Sequence, residues 1–271
     1  QILSDLNFSV GALPASYGSD DIGRVTKGAA LSLLGKVHLT RKNYSAAIEA
    51  LNQVTSLGYD LLDDYADVFD PQNKNHQESI WDIQYQGDNQ YGVNSNFIYT
   101  FAPRESVGAV IDFPGQDGGG WNTPTNEIIA LYEEGDLRKE VSLREGYTSL
   151  QGEYVGVPYI NKFNHPHTIR GVTNDNWPVI RYADVLLMLA EAINEVDGPT
   201  GTAVAYLNEI RDRAGLDPVN GLGKDAFREV LLNERRIELA FENHRWFDLK
   251  RTKTASELVS MLNAYGLRER A

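Results

Sequence analysis

Three glutamates stand at four-residue intervals near the carboxyl end of the chain, inside the stretch ERRIELAFENHRWFDLKR. Glu234, Glu238 and Glu242 would fall on one face of a helix, where like charges four residues apart repel each other. Cations must compensate them, and the candidates are Arg245, nearby in the chain, and Arg181, at the start of a distant apolar helix. Carboxylates with arginine neighbours have tuned pKa values, so this set could also perform acid–base catalysis.

The same stretch, residues 234–251, carries large aromatic side chains, and these favour a structural role for the charges. On one straight helix Trp246 would lie nearly opposite Phe241. We therefore expect a break at Asn243-His244, because asparagine tolerates the left-handed conformation that ends helices. We predict a partly buried ion network that holds two helices to a shared core, with Trp246 and Phe247 as packing anchors.

Composition excludes several other kinds of chemistry. The chain has 38 acidic and 25 basic residues, and its net charge of −13 would repel a nucleic-acid backbone. It contains no cysteine, which excludes disulfides, thiolate metal sites and cysteine nucleophiles. His165 and His167 could offer two imidazoles to a metal, but no third ligand has suitable spacing. We therefore expect no metal site, no cofactor and no nucleic-acid partner.

The beginning of the chain carries no targeting signal. Gln1 is followed by neither a positive segment nor an apolar segment of the secretory type, and no run of about 18 apolar residues could span a bilayer. The opening ILSDLNFSVGALP reads like the end of a helix. We expect the chain to be a fragment of a longer protein.

Two helical hairpins are predicted from apolar residues at three- and four-residue steps. The first joins a helix over residues 24–40 to one over 44–54, and the second joins 181–196 to 201–216. Small residues allow the helices to approach closely, as in tetratricopeptide hairpins. The segments AIEALNQV and AVAYLNEI form a weak internal repeat, although amphipathic helices can also resemble each other by chance. Such hairpins need stacked neighbours to cover their faces.

Between the hairpins, glycine and aromatic residues replace the helical pattern. The alternating segment SIWDIQYQ (79–86) predicts a strand, and residues 141–180 predict strands and loops. Thr123 and Pro124 are expected to begin the helix TNEIIALYEEG. The predicted fold is mostly α, with tetratricopeptide-like helical hairpins packed with a loop-rich C-terminal region that contains short strands.

Several of these segments together resemble the SusD/RagB family of glycan-binding surface lipoproteins. ERRIELAFENHRWFDLKR, with the preceding RYADVLLMLAEAIN and LNEIRDRAGL, is similar to the C-terminal half of that family. GRVTKGAALSLLGKVHLTRKNYSAAIEAL resembles its tetratricopeptide-like hairpin, and TPTNEIIALYEEGDLRKEVSL resembles its mid-chain segment. The resemblance covers the chain from about residue 20 to about residue 252, with the motifs in the family's order.

The resemblance implies one compact unit, with residues 1–78 as its tetratricopeptide-like helical part and residues 79–271 as its C-terminal region. It also implies a location at the external face of the outer membrane, where the protein would capture oligosaccharides for a SusC-like TonB-dependent transporter. The family's signal peptide, lipidated cysteine and first helices are absent, and its usual C-terminal tail is not evident. Membrane association would depend on a lipid anchor that is absent from this chain.

The glycine-rich segment 85–122 is the candidate sugar-binding site. Sugar recognition uses flat apolar faces for the C–H side of the ring and amides or carboxylates for the hydroxyls. We expect Trp121 and Tyr91 to form part of a stacking platform, although a loop aromatic can instead cover the core. Trp81 and Trp177 are expected in the core. The polar candidates of the site are Asn89, Asn96, Asp117 and Asn122.

The sequence therefore predicts a non-catalytic protein that binds oligosaccharide and delivers it to a transporter. A peptide-binding or scaffold subunit of a nutrient-import complex is an alternative that the helical hairpins would also suit. A glycoside hydrolase needs two suitably placed carboxylates. The acidic composition permits one, but no pair is singled out by its spacing.

Overall fold

The computed structural model describes residues 1–87 and 93–268, and this part of the chain is mostly helical, as predicted. The helices are α1 (Ile2–Ala12), α2 (Lys27–Thr40), α3 (Tyr44–Val54), α4 (Phe97–Phe101), α5 (Asn126–Ile129), α6 (Arg138–Ser142), α7 (Tyr182–Asp197), α8 (Gly201–Arg213), α9 (Lys224–Glu238), α10 (Arg245–Thr252) and α11 (Ala255–Arg268). The strands are β1 (Ser79–Ile83), β2 (Leu143–Arg144), β3 (Tyr147–Thr148), β4 (Tyr154–Val155), β5 (Tyr159–Ile160) and β6 (Trp177–Arg181).

Helices α2 and α3 form the first predicted hairpin. The Thr26 side chain caps α2 by accepting a hydrogen bond from the amide of Ala29, which satisfies a donor that no helical carbonyl can reach. The two helices approach closely because Gly35 has no side chain: a Cβ atom there would lie 2.4 Å from Cγ of Leu51. This contact confirms the role predicted for small residues in the hairpin.

Helices α7 and α8 form the second predicted hairpin, and α7 is the centre of the fold. Its residues from Tyr182 to Asn194 are all buried, and the helix contacts α2, α3, α8 and α9. A helix that is buried on every side needs neighbours against all of its faces. The largest core cluster accordingly surrounds α7, with Leu51 of α3, Leu207 of α8 and Phe227 of α9 packed in it.

Strand β1 confirms the strand predicted from the alternating segment, and it pairs antiparallel with β6. The pairing brings Trp81 opposite Ile180, and register irregularities lie on both sides of Trp81. Trp81 is half-buried against the core around α7, and Trp177 stacks on Phe163 with 5.4 Å between ring centroids. Both tryptophans are therefore packing residues, as predicted.

The helix predicted to begin at Thr123 begins later and is short. Thr125 is the capping residue of α5, where its side chain accepts a hydrogen bond from the amide of Ile128. The hydroxyl of Thr123 donates instead to the carbonyl of Gly120, 3.4 Å away. The cap predicted at Thr123 was wrong because this residue turns back toward the glycine segment, while the next threonine meets the helix.

Candidate functional site

The glutamate row of the opening motif lies inside the protein. Oε1 of Glu238 is 2.5 Å from Nη1 of Arg181, and its Oε2 is 3.1 Å from Nη1 of Arg138. Glu242 accepts hydrogen bonds from Nε of Arg181 and Nζ of Lys162, each at 2.8 Å. The predicted buried network and the predicted role of Arg181 are therefore confirmed, while Arg138 and Lys162 were missed because they come from distant loops and short elements.

The charges of this network suit structure better than catalysis. Burial alone would raise the pKa of Glu238, but the guanidinium groups of Arg213, Arg181 and Arg138 hold it well below its ordinary value. Arg181 and Lys162 likewise lower the pKa of Glu242 against the effect of burial. Both carboxyl groups are ionised at neutral pH, whereas a general acid would need a raised pKa.

The helix is interrupted between α9 and α10, as predicted. Phe241 and Asn243 adopt the left-handed conformation, with φ of 66° and 68°. The break separates Glu242, which is buried, from Arg245, which begins α10 and is half-buried. The predicted pairing of Arg245 with Glu242 was wrong, because the turn points the two side chains to different environments and two other cations already satisfy the carboxylate.

The packing role predicted for Trp246 and Phe247 was also wrong. Helix α10 buries Asp248 and Leu249, and this orientation leaves 47% of Trp246 and 53% of Phe247 exposed. Nζ of Lys250 lies 5.7 Å from the centroid of the Trp246 ring and 4.8 Å from that of Phe247. Both rings therefore lie at the protein surface, in the first turn of α10.

A second buried network joins α7, α9 and α10. Arg235 donates to Oδ1 of Asp184 at 2.7 Å and to both oxygens of Asp248 at 3.3 Å. Asp248 also accepts from Arg251, at 2.7 Å, and Arg251 in turn pairs with Glu191. The sequence signal for this network was Arg235, the first arginine of the ERR motif, which lies on a different face of α9 from the glutamate row.

The candidate sugar site is built on the end of α4. The glycine segment before Trp121 donates a ladder of backbone hydrogen bonds to this helix, from Gly119 to the carbonyl of Tyr99 at 2.8 Å and from Trp121 to that of Thr100 at 3.1 Å. Another runs from Gly120 to the carbonyl of Ala102 at 2.9 Å. Trp121, with 65% of its surface exposed, is thus held by its backbone while its ring faces outward.

The glycines are required by this close approach. A Cβ atom on Gly118 would lie 2.0 Å from the carbonyl oxygen of Ala102, and one on Gly119 would lie 2.4 Å from Cδ1 of Trp121. Arg104 closes the ladder by donating from Nε to the carbonyl of Gly119 at 3.0 Å. Only a glycine run can pass beneath the tryptophan and along the helix end.

The structure separates the polar candidates of this site. Asn122 is exposed beside Trp121 and has a φ of 54°, while Asn96 is exposed at the opposite end of α4, whose five residues span about 7.5 Å. Oδ1 of Asp117 accepts a hydrogen bond from the amide of Val107 at 2.7 Å, so this carboxylate shapes the loop. Asn89 and Tyr91 lie outside the described residues. The assignment of all six residues to sugar binding stays a prediction.

The two histidines considered as metal ligands have other partners. Nδ1 of His165 lies 2.5 Å from Oδ1 of Asp175, and Nε2 of His167 lies 2.8 Å from the hydroxyl of Tyr99. Over residues 1–87 and 93–268, no group of three or more suitable side chains could hold a metal ion. Tyr99 thereby links this loop to the helix that supports the exposed tryptophan.

Comparison with known proteins places this architecture in a family. The SusD family profile matches residues 141–268. SusD-like protein P2 of Formosa agariphila is 30% identical over an alignment of 290 residues, which covers 95% of this chain and 56% of that protein. A SusD superfamily protein from Parabacteroides distasonis superposes with a TM-score of 0.79 at 29% identity, over 92% of this chain and 57% of that one. A structure described as a laminarin-binding SusD-like protein superposes with a TM-score of 0.77 at 30% identity, over 95% and 61%.

The chain belongs to the SusD/RagB family. It spans 56% of the length of the Formosa relative. Among the helices of the described residues, none combines the length and the apolar character that crossing a bilayer requires.

Proposed function

We propose that this chain belongs to a non-catalytic glycan-binding protein, which acts at the external face of the outer membrane and passes oligosaccharide to a SusC-like TonB-dependent transporter. The observation that carries the proposal is the exposed ring of Trp121 on its glycine ladder. The SusD/RagB family and the similarity to a laminarin-binding protein support it. A lipid anchor would hold the protein at the membrane.

Trp121 has the properties that sugar stacking requires. Its ring offers a flat apolar face, and the backbone hydrogen bonds beneath it reduce the conformational freedom that binding would otherwise remove. Asn122, exposed at the next position, can donate to and accept from hydroxyl groups. A rigid aromatic next to an amide is a suitable minimal contact for one pyranose ring.

The buried carboxylates support the part of the proposal that the protein is not catalytic. Glu238 and Glu242 are enclosed, ionised and engaged by cations, so neither can protonate a glycosidic oxygen. Delivery to a transporter is supported by the family alone. Co-purification of the protein with its SusC-like partner from membranes would test that step.

Replacing Trp121 with alanine should weaken oligosaccharide binding at least tenfold, about 1.4 kcal/mol, because the stacking face is lost. The measurement is calorimetry against a panel of laminarin, starch, xylan, mannan and pectin oligosaccharides. Tyr154→Ala is the matched control, since Tyr154 is a ring of similar exposure, 69%, in strand β4. The Tyr154→Ala variant should bind each oligosaccharide with the same affinity as the unmodified protein.

The same titrations separate the alternatives when the mixtures are also analysed by chromatography. Release of shorter products would identify a glycoside hydrolase, and binding of peptides without any oligosaccharide would identify a peptide-binding subunit. Equal affinity of Trp121→Ala and the unmodified protein would remove Trp121 from the site.

A further inference from the structure

A groove of about 290 Å³ lies between the segment after the glycine ladder and the break that joins α9 to α10. Asn122 and Thr123 line one side, and Asn243, Arg245 and Trp246 line the other. Asn122 therefore belongs both to this groove and to the neighbourhood of the exposed tryptophan of the candidate sugar site. The groove therefore adjoins that site.

Arg245 is the unusual residue of the groove. Within the part of the chain that the structure describes, its guanidinium makes no ion pair and no hydrogen bond to another side chain. Burial lowers its pKa, and the neighbouring guanidinium of Arg236 lowers it further. The two acidic groups that oppose this effect are already engaged: Asp248 by two other arginines, and Glu127 by Nη1 of Arg236 at 2.7 Å.

A half-buried cation without a counter-charge is unfavourable in the empty protein and attracts an anion. This protein carries a net charge of −13, so nonspecific attraction of anions to its surface is weak and a local excess of positive charge stands out. The planar fork of a guanidinium matches the two oxygens of a carboxylate or a sulfate. Arg245 thus has the chemistry of an anion-binding residue.

The other walls of the groove suit a sugar ring that carries such an anion. Trp246 exposes 47% of its surface, and the side chains of Asn122 and Asn243 are exposed on facing walls, where they can bind hydroxyl groups. The volume lies just below the range for small-molecule sites. It is adequate for one sugar residue and its charged group.

We propose that this groove binds the anionic group of an acidic saccharide, a carboxylate or a sulfate, and that it extends the sugar surface that begins at Trp121. The inference rests on the proposed glycan-binding function and names the class of ligand. An uncharged oligosaccharide would reach Trp121 without using Arg245, whereas a uronate or a sulfated sugar would use both.

The test compares three probes by calorimetry: trigalacturonate, a sulfated galactan oligosaccharide and an uncharged laminarin oligosaccharide. Arg245→Gln should weaken binding of at least one anionic probe about tenfold and leave that of the uncharged probe unchanged, because only the anion contacts the guanidinium. Whichever anionic probe responds identifies carboxylate or sulfate as the ligand group. Arg41→Gln is the matched control, since it makes the same change of net charge at an exposed residue after α2.

A second variant adds charge instead of removing it. Thr123 is exposed on the opposite wall, so Thr123→Glu should fold normally and should repel the same anionic probe to a similar extent. Anionic probes that bind no better than the uncharged one, or that bind equally to Arg245→Gln, would overturn the inference. An acidic peptide that binds through Arg245 while no acidic saccharide does would also overturn it.

The outcomes separate this inference from the proposed function. If the uncharged probe binds in a manner that depends on Trp121 and the anionic probes do not depend on Arg245, only the inference about the groove fails. If no oligosaccharide of either kind binds, the proposed function fails as well.

Discussion

Glu238 shows how the protein keeps a carboxylate in its interior. The side chain is fully buried and shares its two oxygens among the guanidinium groups of Arg138, Arg181 and Arg213. Removing an ion from water costs several kcal/mol, and the attraction between ions offsets this cost only where every partner is satisfied. Each member of the network therefore depends on the presence of the others.

Glu238→Gln should destabilise the protein by about 3–5 kcal/mol, because it leaves three buried guanidinium groups with one anion fewer. Urea denaturation followed by circular dichroism measures the change. Glu229→Gln is the control on the same helix: Glu229 is exposed, and its replacement should change stability by less than about 0.5 kcal/mol. Equal stability of the two variants would show that the network contributes little.

At the scale of the elements, the first hairpin depends on one missing side chain. Gly35 lies in the middle of α2, where glycine is less favourable for a helix than alanine. It is nevertheless needed, because Leu51 of the facing helix is fully buried and lies against it. Packing between helices here outweighs helix propensity.

Gly35→Ala should therefore lower the free energy of unfolding by about 1–3 kcal/mol, since the new methyl group forces Leu51 out of its position. Gly11→Ala is the matched control within α1, where a Cβ atom would meet nothing within 4 Å. There alanine should stabilise by about 0.5–1 kcal/mol through its higher helix propensity. Chemical denaturation of both variants gives the comparison, and stabilisation by both would mean that the helices separate at no cost.

An element could be predicted from the sequence when the residues that determine it lie within the element itself. Helices α2, α3, α7 and α8 were predicted within a few residues because their apolar periodicity is contained in the elements themselves. Strand β1 was predicted, but its pairing with β6, about a hundred residues further on, was not. The pairing depends on how α7 and the loops fold around it, which no short pattern records.

The same limit applies to the candidate site. Arg181 was recognisable as a counter-charge because it heads an apolar helix, and the break near Asn243 followed from the preference of that residue for the left-handed conformation. The direction of the chain after the break could not be predicted. For this reason Trp246 was assigned to the core and Arg245 to the ion network, although both line the groove.

For the whole molecule, the buried networks determine where its charges lie. Arg138, Arg181, Arg235 and Lys162 are almost completely buried, and all four are paired with buried carboxylates. These basic residues therefore do not offset the negative charge of the protein surface. An anionic ligand would meet repulsion over most of that surface, which makes a local cationic groove a selective feature of the molecule.

The stability of the whole molecule should decrease as the pH falls from about 6.5 to about 4, because of His244. Nζ of Lys36 lies 2.9 Å from Nδ1 of this buried imidazole, so the ammonium donates and the ring is neutral. Burial lowers the pKa of His244 to about 4, with Lys36 acting in the same direction and Asp184 against it. An unfolded histidine has a pKa near 6.5, so within this interval the unfolded chain binds more protons and becomes relatively more stable.

His244→Asn should remove most of this pH dependence, because the amide oxygen can accept the hydrogen bond from Lys36 and does not titrate. The expected loss in the unmodified protein is on the order of 2–3 kcal/mol, measured as the free energy of unfolding in urea at several pH values. The control is His38→Asn, at a half-buried position of α2, and this variant should keep the pH dependence of the unmodified protein.

The lowered pKa values of Glu238 and Glu242 affect stability only below their unfolded values near 4.5, where protonation removes the stability that their ionised forms supply. A slope between pH 6.5 and 5 that persists in His244→Asn would assign the effect to another group.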